Sequence, residues 1–190
     1  MTGNDTLTGY TPPKRRAPAV TVSGICLAAA AVCLILSALG IGWRGPLQLI
    51  AAAAAVTAIE MTTRFILTEY TYIIIYGNEG IDFAVSRPNG KKIKTVANIA
   101  MTTVKALAPN DKISALESRF GRIKQSFNYS ANMFPIRKGQ LKNDPDAETK
   151  KYALVFDFNG ATDLMIIECS EEFADQIRGI LKKPEDTDLR

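Results

Sequence analysis

"PLQLIAAAAAVTAIEMTTRF", residues 46–65, holds thirteen residues without charge from Leu47 to Ile59 and then meets Glu60 and Arg64. Thirteen helical residues cover only about 20 Å at 1.5 Å each, short of a hydrocarbon core ~30 Å thick. The segment can run on. Residues 60–67, "EMTTRFIL", contain neither Gly nor Pro, and Glu60 precedes Arg64 by four residues, the better order for a helical ion pair. A span over Leu47–Leu67 with a polar end is therefore expected. Near an interface both charged side chains reach the headgroup layer at reduced cost. An intramembrane ion path would require partners for Glu60, and no other charge falls within the apolar stretches.

Working toward the N-terminus, Ala19 to Trp43 is a run of 25 residues with no charge at all. It exceeds the ~20 residues needed to cross a bilayer and shows no polar stripe of the kind a core helix carries. It is also too long for the 7–15-residue apolar region of a signal peptide, and thirteen residues precede its basic cluster. "GWRGP", residues 42–46, is a tight turn with an interfacial Trp43, so residues 19–67 are expected to form a transmembrane helical hairpin. Small residues four apart predict close pairing of its arms: Ala51 with Ala55, Ala54 with Ala58, Gly24 with Ala28, and Ala38 with Gly42. Lys14-Arg15-Arg16 before the first arm places the N-terminus in the cytoplasm by the positive-inside rule. Residues 1–18 read as a disordered basic tail. Two crossings return residue 68 onward to the cytoplasm, with both termini on that side.

Beyond residue 68 the pattern shortens to strands. "TEYTYIIIY" (68–76) is rich in β-branched and aromatic residues, "IDFAVSR" alternates, "PNG" (88–90) is a turn, and "KKIKTVANI" continues with Ile93 out of phase with Val96 through a bulge. "MTTVKAL" and "RIKQSFNYS" read as further strands, with a short helix in "NDKISALESRF" on the spacing of Ile113, Leu116 and Phe120. Residues 131–150 read as a long exposed loop. "YALVFDF", "NGATD" and "LMIIEC" form a hairpin whose Asn159-Gly160 turn tolerates positive φ, with Tyr152, Leu154, Phe156 and Phe158 on one face. "SEEFADQIRGILKK" is a helix capped by Ser170, its apolar stripe being Phe173, Ile177, Ile180 and Leu181. Strands followed by one amphipathic helix predict an antiparallel curved sheet or partly open β-barrel covered by the helix.

Two N-terminal spans, "EYTYIIIYGNEGIDF", the basic "SRPNGKKIK" hairpin, "YALVFDF" with "LMIIEC", and the terminal "SEEFADQIRGIL" together resemble uncharacterised two-span membrane proteins of Clostridia-like Gram-positive bacteria. The soluble part of those proteins is similar to the bacterial pleckstrin-homology-like (PH-like) fold. The resemblance covers most of residues 19–183 and implies an α+β membrane protein: a PH-like cytoplasmic domain over 68–184, a C-terminal capping helix, and a short disordered tail at 185–190. It implies a binding domain and no reaction.

The residues offer little chemistry. The chain has no histidine, which excludes Ser-His-Asp and Cys-His arrangements and His-containing zinc sites. It has no phosphate-binding glycine motif. Cys26, Cys33 and Cys169 lack metal-ligand spacing, and Asp144, Asp146 and Glu148 lack the spacing of a calcium loop. No cofactor and no metal is expected. From Phe65 onward 18 Lys and Arg balance 17 Asp and Glu, so no basic footprint for nucleic acid exists. The candidate surface is the cluster Arg87, Lys91, Lys92 and Lys94, close in sequence to the membrane exit and partly offset by Asp82. It suits anionic lipid headgroups or a protein partner, although lysines on a sheet edge also simply prevent aggregation. The expected function is a membrane-anchored, non-catalytic binding or scaffold module. The alternative is an accessory subunit of a transporter-like assembly acting through its helical hairpin.

Overall fold

The computed structural model describes residues 6–78, 80–89 and 92–181. In chain order the elements are β1 (Thr6–Tyr10), α1 (Ala17–Ala38), α2 (Arg44–Met61), β2 (Thr71–Gly77), β3 (Gly80–Asn89) and β4 (Lys92–Ala100). There follow β5 (Val104–Pro109), α3 (Ile113–Phe120), β6 (Ser126–Asn128), β7 (Lys150–Phe158), β8 (Ala161–Cys169) and α4 (Glu171–Leu181). The chain divides into a helical unit, residues 14–68 with 132–134, and a sheet unit containing the rest.

In the helical unit α1 starts with Pro18 in its first turn, where a missing N–H costs nothing. Gly40 and Gly42, at φ 71° and 79°, make the turn between the arms. After Met61 the helix widens into a π turn over Thr62–Leu67, and Glu60 and Arg64 approach to 3.8 Å. Together α1 and the stretch Arg44–Leu67 are long and apolar enough to cross a membrane. On α1, Ala19, Ser23, Ala30 and Ser37 are buried and Pro18, Val22, Cys26, Cys33 and Leu36 half-buried; on α2, Ala51 and Ala58 are buried and Leu47, Ala54, Ala55, Thr57 and Met61 half-buried. The buried positions, together with Cys26 and Cys33 on α1 and Leu47 and Ala54 on α2, follow the alternating four–three spacing of a helix-pair seam. The Ser23 hydroxyl donates to the Ala58 carbonyl at 3.3 Å and lies 2.9 Å from the Thr62 hydroxyl. Thus the small pairs predicted on α2 lie on its inner face. Those predicted on α1 do not: Gly24, Ala28 and Ala38 face outward. Most of the large apolar residues, among them Ile25, Leu34, Leu49, Val56 and Ile59, are exposed. This hairpin keeps its small residues inside and its oily ones outside.

The sheet unit corrects the expectation of a disordered tail over 1–18. Residues 6–10 form β1, paired antiparallel with β2 from Thr6↔Tyr76 to Tyr10↔Tyr72. The first sheet has the order β1-β2-β3-β4 and the second β5-β7-β8-β6. The pairing is not wholly antiparallel as predicted, because β6 runs parallel to β8. One core is shared by Tyr72, Ile74, Phe83 and Val85 of the first sheet, Leu154, Phe156 and Ile167 of the second, and Phe173 and Ile177 of α4. Tyr72 ties the sheets together: its hydroxyl donates to the Tyr129 carbonyl at 2.7 Å and accepts the Glu168 N–H at 3.1 Å.

β7 is buried on both faces. Tyr152, Leu154 and Phe156 face the main core, while Ala153 and Val155 pack with Leu116 of α3 and with Leu164. Phe158, at the end of that row, is exposed beside the turn. The Asn159-Gly160 turn has φ 50° and 75°, as the sequence predicts. Residues 131–149 form an irregular loop, but it is pinned rather than simply exposed. The Ile136 N–H donates to the Thr149 hydroxyl at 2.9 Å, and that hydroxyl donates to the buried Glu168 carboxylate at 2.6 Å. At the start of α4 the Phe173 N–H meets Ser170 Oγ at 3.3 Å. Glu171 accepts from Arg178, Lys150 and Tyr152 at 2.7–2.8 Å. Arg178 first, then Lys150 and Tyr152, hold this carboxyl down to about 2. The expected tail at 185–190 lies outside the described residues.

Candidate functional site

The basic cluster sits on the hairpin of β3 and β4. Its register is Ser86↔Thr95, Arg87↔Lys94, Pro88↔Ile93 and Asn89↔Lys92, with a shift beside Val85 that leaves Val96 unopposed. That shift is the bulge the sequence suggests. Residues directly opposite share a face, as do residues two apart. Arg87, Lys92 and Lys94 therefore occupy one face of the tip, and Pro88 and Ile93 the other. All five are exposed. Lys91 lies outside the described residues.

Arg87 and Lys94 are directly opposed like charges, with Cβ atoms on the order of 5 Å apart, an arrangement that destabilises a strand pair. Among the described residues no carboxylate forms an ion pair with Arg87, Lys92 or Lys94. Asp82, expected to offset the cluster, stands opposite Ala100 at the far end of the strand, about 16 Å from Arg87 at ~3.3 Å per residue. Inward of the tip, burial raises the Tyr129 hydroxyl, with the Arg87 charge opposing that shift.

The location of the tip comes from strand pairing. Thr71 opens β2 and is paired with Ser86, and the Thr11 and Thr71 hydroxyls are 3.0 Å apart. A shallow cavity of about 160 Å³ is lined by Thr11, Glu69, Thr71, Ile73, Ser86, Arg87, Pro88 and Ile93. In the sequence Thr11 leads into α1, and Glu69 follows the last helical residue, Leu67, by two positions. The basic tip thus lies at the end of the sheet where the chain departs for, and returns from, the apolar helices.

At the opposite end of the first sheet is a larger apolar cleft of about 740 Å³, which sequence reasoning missed. Tyr76, Ile81, Met101, Val104, Ile180 and Leu181 line it, with Gln176 and Thr102 as polar members. Its walls come from four separate segments, so no local pattern announces it. Elsewhere Cys169 is buried, which pushes its thiol up to about 12. Among the described residues no group of three His, Cys, Asp or Glu is placed to hold a metal ion.

A family model described as a bacterial PH-like domain (DUF6106) matches residues 13–184. The chain belongs to that family. No curated protein and no solved structure matches it. The match takes in the apolar helices and β2 to β8 and begins after β1. Membership in a PH-like family indicates a binding or scaffold module.

Proposed function

We propose that this PH-like protein is a non-catalytic binding module anchored in the cell membrane by α1 and α2, whose β3–β4 tip contacts anionic lipid headgroups. The observation that carries the reading is the place of the tip beside Thr11 and Glu69, which lie six residues before Ala17 and two residues after Leu67. The outward-facing apolar side chains of that hairpin suit lipid, where small residues rather than large ones mediate helix contact. The sheet supports a topology with both ends on one side. Because β1 precedes the hairpin, β2 follows it and the two strands pair, both ends of the hairpin return to one side of the bilayer. Lys14-Arg15-Arg16 assigns that side to the cytoplasm.

The test uses the sheet unit with residues 14–68 replaced by a short Gly-Ser linker and vesicles containing phosphatidylglycerol. Each cation near such a surface contributes ~1 kcal/mol. Replacing Arg87, Lys91, Lys92 and Lys94 by Gln should therefore weaken sedimentation with vesicles by up to roughly a thousandfold. Parent binding should fade as salt shortens the screening length from ~10 Å at 0.1 M to ~3 Å at 1 M. Thermal stability should not fall, since exposed charges add little to folding. Unaltered binding by the quadruple variant would make the lysines solubilising groups and leave the 740 Å³ cleft as the better candidate for a protein partner.

A further inference from the structure

The same tip carries an apolar side chain that electrostatics leaves unexplained. Ile93 is 78% exposed, and its cross-strand neighbour Pro88 is exposed as well. An edge strand guards itself with charge, a role that Lys92 and Lys94 already fill. A bare isoleucine between them works against it. Cations on one face with an aliphatic group on the other is the composition of a segment that lies in a membrane interface.

The register gives the level of the tip. Thr71 opposes Ser86, so continuing the ladder by two residues sets Pro88 level with Glu69. Both residues line the shallow cavity described above, as does Ile93. Pro88 and Ile93 therefore project about 7 Å past the first pair of the sheet, at ~3.3 Å per residue. They stand level with the residue two positions beyond the end of the apolar helices. Glu69 follows the apolar helices by two residues, a chain reach of only about 7 Å, and an interfacial segment buries its apolar face ~5–10 Å into the headgroup layer.

We propose that Ile93, with Pro88 beside it, inserts into the headgroup–acyl boundary of the anionic bilayer that anchors the chain. Arg87, Lys92 and Lys94 grip lipid phosphates from the opposite face of the tip. The inference rests on the headgroup reading above and adds a hydrophobic contact to it. The long stems of the cationic side chains let their heads remain among phosphates while the backbone of the tip moves deeper. Electrostatic attraction and apolar burial then act together, and neither requires a shaped lipid pocket.

The full-length protein in lipid nanodiscs provides the test. Trp43 is the sole tryptophan, so a Trp43→Phe background allows one reporter to be placed at a time. Ile93→Trp puts the reporter on the tip, and Tyr76→Trp puts it at the far end of β2. The nanodiscs contain phosphatidylglycerol and a phosphatidylcholine brominated along its acyl chains, which quenches tryptophan only at close range. Expected is a blue-shifted, quenched emission at position 93 and unquenched emission at position 76. An unquenched reporter at position 93 overturns insertion, and so does equal quenching at both positions, which would mean that the whole domain lies on the membrane. The two readings fail separately. If charge-dependent vesicle binding by the sheet unit persists while the position 93 reporter stays unquenched, headgroup contact stands and insertion falls. If quenching at position 93 is the same in purely zwitterionic nanodiscs, insertion stands and the anionic headgroup reading falls.

Discussion

Ile177→Asp is expected to unfold the sheet unit. Ile177 is fully buried in the cluster that joins both sheets to α4. Truncating a large buried aliphatic costs ~2–5 kcal/mol, and an unpaired carboxylate placed there adds a desolvation penalty. A domain of this size has only ~5–15 kcal/mol in total. The variant should lose near-ultraviolet circular dichroism and cooperative melting. Ile177→Val, which removes one methyl group, should cost only ~0.5–1.5 kcal/mol and remain folded. A cooperative, near-parental melt for the Asp variant would show that α4 is peripheral to the core.

The second large effect concerns β1. Tyr10 stacks on Phe173 with ring centroids 5.0 Å apart, and Phe173 in turn stacks on Tyr72 at 6.5 Å. Removing residues 6–13 deletes this ring and a five-pair ladder with β2, leaving the edge of β2 open. The loss should be roughly 2–4 kcal/mol, in the range for truncating a large aromatic that is only part-buried. Two versions lacking the helices should therefore differ in urea denaturation. Residues 68–190 alone should have the lower midpoint. The version that keeps residues 6–13 and bridges to residue 69 with a short linker should have the higher one. Equal midpoints would mean that β1 is ornamental, and the same-side argument drawn from its pairing would lose its support.

How much of this could be read in advance depended on the reach of each signal. Short-range signals were legible: the Asn159-Gly160 turn, the Ser170 cap, the α4 stripe and the bulge at Val96 each depend on a few adjacent residues. β1 was not. "TLTGY" is short, polar and interrupted by glycine, and its partner lies 62 or more residues later, beyond an inserted helical hairpin. The parallel β6–β8 pair and the double burial of β7 were hidden for the same reason, because they arise from which distant segments become neighbours. In the hairpin, small residues at four-residue spacing were too common to single out a face. The seam on α1 is marked instead by alternating four–three spacing of Ala, Ser and Cys. At the candidate site the cationic residues were legible as types. Their position relative to Thr11 and Glu69, the distance of Asp82, and the exposure of Ile93 all depend on register.

The central claim is a chain that crosses the membrane twice and returns its PH-like sheets to the cytoplasm. Impermeant thiol labelling of intact cells tests it most directly. The background replaces Cys26, Cys33 and Cys169 by Ala, and carries either Arg44→Cys at the start of α2 or Asn159→Cys in the β7–β8 turn. Labelling of Arg44→Cys in intact cells, with Asn159→Cys labelled only after the cells are opened, is the predicted result. Rapid labelling of Asn159→Cys in intact cells would contradict it.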